Sequence, residues 1–239
     1  MHQFIREFLK TALVSGVFML GTHSNIGPDR KLIVQAMDGQ ASDAEQKDLV
    51  SSFFGRYNND LHQSTVDNFM SVAHAYGFSS DEDLFLDCIH QICLESQAKQ
   101  SSRSGSGAMG IAQVTPTTAF DFIHKCGDKV RHKMDSLGAS SMTWAIKGEY
   151  SYTNDSLHRP YLGRQLRKKA VDWLSDERNN LIVWGAMMDR NLSKLDKERA
   201  FLCFHLGARG LEKYKGSPHK HEYIRLMSRV TPRKKEGGS

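Results

Sequence analysis

The sequence has no strand-type alternation, no internal repeat and, beyond its first two dozen residues, no long apolar run. The first absence argues against an all-β fold, the second against a solenoid, and the third against any further transmembrane segment. Cysteine is scarce: Cys88, Cys93, Cys126 and Cys203 show neither C-x-x-C spacing nor the density of a disulfide scaffold. Cys88 and Cys93 lie five apart on one helix and face different sides, so buried thiols are expected instead. H-E-x-x-H, a phosphate-binding glycine loop and zinc-type Cys/His spacing are all missing. His219 and His221, two apart in a basic tail, are a poor metal pair. No metal and no cofactor are expected.

The chain has 239 residues, 39% hydrophobic and 25% charged, enough for one globular domain with extensions or two small ones. Its formal net charge is +5, with short basic runs at Arg164 to Lys169 and Arg233 to Lys235. That balance suits nucleic acid, a membrane surface or a cell-wall polymer, and equally a solvated face.

Residues 1–24 open with Arg6 and Lys10 and continue into an apolar run from Ala12 to Gly21, broken by Ser15 and Gly16. The run is too short to span a bilayer comfortably and resembles a secretory signal, with an ordinary amphipathic helix as the alternative.

Helical signals dominate the rest. Ser42 and Glu45 form a capping box, Ser64 and Asp67 open a second helix that Gly77 can close, and Ser79 with Glu82 repeats the box before a third. In that third helix Phe85, Cys88, Ile89 and Ile92 make an apolar stripe, which places Glu95 at its C-terminal end on or beside the inward face. Pro116 suits the first turn of the next helix. Residues 127–172 have weak periodicity, and Tyr150, Tyr152 and Tyr161 there either line a groove or pack. A helix over "NNLIVWGAMMDRNLSKL", one capped by Asp196 and ended by Gly207, and a last short one from Ser217 and Pro218 to about Val230 complete a mainly α fold.

A carboxyl on an apolar helix face near a helix C-terminus is disfavoured as an anion by burial and by the helix dipole. A protonated carboxylic acid at neutral pH is what a departing glycosidic oxygen needs, although a glutamate at a helix end also commonly reaches to solvent. The residues that follow Glu95 separate these readings. Glu95-Ser96, Ser104, Gly107-Ala108, Gly110, Gln113, Pro116 and Thr118-Ala119 make ten positions with the residues and spacing of one motif. The stretch resembles the first motif of the soluble lytic transglycosylase family, which cleaves peptidoglycan.

The resemblance covers about Leu84 to Tyr214 and implies a lysozyme-like domain over 81–216, with a helical N-terminal extension at 25–80 and a short helix and basic tail at 217–239. It implies that Glu95 is the only catalytic carboxylate. Glu95 would serve first as acid on the leaving oxygen and then as base on the C6 hydroxyl of N-acetylmuramic acid, giving a 1,6-anhydro sugar. Ser104 and Gln113 match positions that hydrogen-bond the substrate or steer the acid, while Gly107 and Gly110 let the backbone pass close to the glycan. The implied partner is the peptidoglycan glycan strand, with no nucleic acid, and membrane contact only through residues 1–24. The implied location is the periplasm or cell envelope, in service of a secretion or conjugation apparatus, or else a phage virion.

The later motifs match loosely. Asn180 stands five before Gly185 where four is usual, so the helix is as readily core as a substrate wall. "CFHLG" at Cys203 to Gly207 puts Phe204 where a tyrosine normally approaches the acid, and His205 where an asparagine stands. Phe204 and His205 are therefore candidate substrate-binding residues, with the missing hydroxyl to come from elsewhere in the chain if it is needed. Two alternatives stay open: a hydrolytic goose-type lysozyme, and a glycan-binding assembly protein with a decayed site.

Overall fold

Ser42 begins the first helix as its spacing to Glu45 implies: each residue's side chain bonds the other's backbone N–H across the first turn. The computed structural model describes residues 42–230, and they are mainly helical. The signal-like segment expected at 1–24 and the basic end after Val230 lie outside the described residues. Among the described residues no helix is long and apolar enough to cross a membrane.

Helix α1 spans Asp43–Tyr57, α2 Gln63–Ala75 and α3 Glu82–Ser96. The start of α2 falls at His62 rather than Ser64, which sits inside the first turn with its hydroxyl against the His62 ring. Likewise α3 is capped by Asp81, whose carboxylate accepts the Leu84 N–H, because Ser79 is taken up in a 3-10 turn at Phe78–Ser80. After the loop come α4, Pro116–Lys125, capped by Thr115, then α5, Asp128–Ser136, and α6, Thr143–Ile146. A small antiparallel hairpin pairs β1, Ser151–Tyr152, with β2, Pro160–Tyr161. It leaves Tyr152 and Tyr161 exposed, while Tyr150 packs edge-on against Phe120. Then follow α7, Arg164–Leu174, α8, Glu177–Leu192, α9, Lys197–Leu206, and α10, Ala208–Lys213. The last helix, α11, runs from Glu222 to Val230, after a 3-10 turn that uses Ser217 and Pro218.

α8 is the central helix, buried from Asn179 through Met188, so its role as core is established. Trp184 stacks on Phe69 and meets Phe78 edge-on. Gly185 lets α2 approach closely: a Cβ there would lie 2.5 Å from a Val72 methyl. The helices expected as an N-terminal extension share this core, since Leu49, Phe53, Phe54 and Phe69 belong to one cluster with Trp184 and Met227. Each such side chain contributes about 1.5–3 kcal/mol on burial. Cys88 and Cys93 are buried free thiols, and Cys126 and Cys203 are half-buried and free.

His90, on α3, is buried edge-on against Phe53, and burial pushes its imidazolium down to about 4 from 6.5. Because the folded value lies below the unfolded one, this stability is complete above about pH 6.5 and is lost as pH falls toward 4. The loss should reach about 3 kcal/mol at pH 4. Urea denaturation at pH 7 and pH 4 should therefore show a smaller acid-side loss in His90→Leu than in the wild type. Equal losses would contradict the assignment to His90.

Candidate active site

Gln91 and Glu95 stand four apart on α3, so the two share a face at the helix's C-terminal end. The helix stops one residue after Glu95, where Gln97 and then Ala98 take left-handed conformations (φ 58° and 55°) without being glycine. Three bonds hold this turn: the Gln97 N–H donates to Cys93 O, the Lys99 N–H to Ser96 O, and Asn58 Nδ2 to Ala98 O from the end of α1.

The Ser- and Gly-rich loop is closely tied despite its composition. Ser102 Oγ donates to Ser96 O at 2.9 Å, pulling the loop back onto the end of α3. Met109 pairs with Arg103 on one side and Val114 on the other. Asn180, fully buried at the start of α8, accepts the Ala112 N–H through Oδ1 (2.8 Å) and donates from Nδ2 to Met109 O (3.0 Å). Gln100 spans the other side, accepting the Ile111 N–H and donating to Leu174 O. The asparagine of the loosely matched second motif is thus a clamp on the loop, made by the core helix.

Within the loop, Ser104 Oγ accepts the Ala108 N–H at 2.9 Å and pairs with Ser106 Oγ. Gln113, itself at φ 51°, donates from Nε2 to Ser102 O and Gly110 O. Both expected substrate-binding residues therefore shape the loop, and their hydrogen bonds stay inside it. Ser104 is half-exposed, so water can replace its bond. Ser104→Ala should lower stability by about 1 kcal/mol, read as a shift in the urea midpoint. An unchanged midpoint would mean that the hydroxyl holds nothing.

The Glu95 side chain is 16% exposed, and its partners come from the C-terminal third of the chain. Tyr223, near the start of α11, donates its hydroxyl to Glu95 Oε1 at 2.9 Å. His205 Nδ1 lies 3.4 Å from the same oxygen, and its ring stacks on Tyr223 with centroids 4.0 Å apart and planes at 13°. Among the described residues no hydrogen bond reaches Oε2. Burial, reinforced by the nearby Glu95 charge, raises the Tyr223 phenol well above its ordinary value, so it is a permanent donor. His221 accepts the Tyr223 N–H on Nδ1, and burial and then the neighbouring His205 push its imidazolium down. Its ring meets His205 edge-on.

Phe204 is half-buried and packs against the core, so position 204 offers Glu95 no hydroxyl. The phenol comes from Tyr223, 128 residues along the chain from the carboxylate it serves. His205 is brought to Glu95, while Gln113 reaches the end of α3 through Ser102, whose hydroxyl bonds Ser96 O, and Ser104 bonds Ser106 and Ala108 within the loop. Sequence reasoning missed Tyr223, Gln91 and the clamping role of Asn180. Comparison with protein-family models, with curated proteins and with solved structures yields no match to this chain.

Proposed function

We propose that this protein is a peptidoglycan lytic transglycosylase of lysozyme-like fold. It cleaves the β-1,4 bond between N-acetylmuramic acid and N-acetylglucosamine, with Glu95 as the single acid and base. The observation that carries the reading is Glu95 itself: a mostly buried carboxyl at a helix end beside a clamped loop, with one oxygen fixed by a buried phenol and the other bonded by none of the described residues.

Glu95 Oε2 gives its proton to the glycosidic oxygen as the bond from C1 to that oxygen breaks. The Tyr223 hydroxyl on Oε1 meets the charge left on the carboxylate. The substrate's 2-acetamido oxygen stabilises the cation at C1, so no second carboxylate is required. The carboxylate then takes the C6 hydroxyl proton while O6 bonds to C1, which closes the anhydro ring and restores Glu95 without consuming water. The loop orients the sugar, with Ser104 and Gln113 at its edge.

Phe204 and the loosely matched second motif favour a decayed site, but the Tyr223 hydroxyl reaches Glu95 where Phe204 has none to offer. Work on the wall places the protein in the cell envelope, opening it locally for a secretion or conjugation apparatus or for a phage. Dye-labelled sacculi test the reading: the purified chain should release soluble dye, whereas binding to sacculi without release would favour a glycan-binding role.

A further inference from the structure

Gln91 is fully buried on α3, one turn before Glu95. Trp184 Nε1 donates to Gln91 Oε1 at 2.9 Å, which fixes the amide with its oxygen toward α8 and its nitrogen on the other side. That nitrogen, Nε2, is buried with no partner at conventional hydrogen-bond distance. Such a group is costly to leave buried without a partner. One turn on along the same face of α3 stands Glu95 with the Tyr223 hydroxyl bonded to it, and an amide donor at Gln91 favours the Tyr223 phenolate against the effect of burial. The same hydroxyl donates to Glu95 Oε1.

We infer that Gln91 is a positioning residue: held by Trp184, its amide N–H turns to the Tyr223 oxygen and so commits the phenol hydrogen to Glu95. The order of donation is Trp184 to Gln91, Gln91 to Tyr223, Tyr223 to Glu95. A phenol oxygen that already accepts an amide hydrogen is polarised into a stronger donor, and its own hydrogen has one productive acceptor left. The inference rests on Glu95 being the acid, as proposed above.

A double-mutant cycle on soluble glycan strands tests it, with cleavage followed in the wild type, Gln91→Met, Tyr223→Phe and the double variant. Gln91→Met should lower kcat about tenfold with KM unchanged, and should change kcat little once the Tyr223 hydroxyl is gone. Independent effects that multiply in the double variant would mean that Gln91 only satisfies the Trp184 N–H and holds the core, which overturns the inference. If Gln91→Met does not fold, NMR of the wild type decides. The Gln91 side-chain amide protons should exchange slowly and show cross-relaxation to the Tyr223 ring, and an amide lacking that contact overturns the inference. Failure of the wild type to cleave would overturn the proposed function, while the NMR contact would still report on Gln91 separately.

Discussion

Glu95→Gln should abolish most cleavage, with a rate lower by about 10³ to 10⁴ on purified sacculi. The amide keeps the size of the carboxyl, and its oxygen still accepts the Tyr223 hydroxyl, so the seat at the end of α3 is preserved. What it loses is the proton for the leaving oxygen and, afterwards, the base for the C6 hydroxyl. General acid–base catalysis is typically worth about 10² to 10⁴, and in the proposed mechanism one group performs both transfers, which puts the loss in the upper part of that range. Affinity for the glycan should survive, because the loop and its clamps are untouched. Dye release near the wild-type rate would remove Glu95 from the chemistry and leave the stretch after it as a sugar-binding loop.

Gly110→Ala should be the most damaging small change in the loop. Gly110 sits at φ 78°, where a side chain is strained by about 1–2 kcal/mol. A Cβ would also lie 2.5 Å from Cγ of Asn180, and Asn180 is fully buried and holds Ala112 and Met109 at the same time. The asparagine cannot yield without releasing those bonds, so overpacking of about 1–3 kcal/mol adds to the strain. The sum is about 2–5 kcal/mol, measurable as a drop in the urea midpoint, together with a loss of dye release. Gly107, also at positive φ (86°), has only the Arg167 guanidinium near its missing Cβ, at 3.6 Å, so Gly107→Ala should cost only the backbone strain. Equal costs at the two glycines would contradict the clamp by Asn180.

The elements that could be read from the sequence are those fixed by near neighbours. Capping by Ser42 and Asp196, Pro116 in the first turn of its helix, the stop at Gly207 and the stripe that carries Glu95 all depend on residues within about a turn of each other. Where two residues competed for one cap, pattern alone chose wrongly: Ser79 and Ser64 fit the box, but Asp81 and His62 precede the first turns. The site was half legible for the same reason. Glu95 and its loop are contiguous, while the phenol depends on how α11 returns across α3, a contact that no local spacing encodes. Gln91 was hidden differently, because a glutamine within an apolar stripe looks like a surface position until Trp184 is found against it. Asn180 drew notice as a motif residue, but its work on the loop needed the packing of α8 to be seen.

In the proposed reaction the glycosidic bond is broken without water. Sacculi digested by the wild-type protein in water enriched in oxygen-18, with the fragments weighed by mass spectrometry, test it most directly. The account predicts fragments ending in 1,6-anhydro-N-acetylmuramic acid, each lighter by one water than a reducing end and carrying no heavy oxygen. Reducing ends bearing oxygen-18 would contradict it and make the protein a hydrolase.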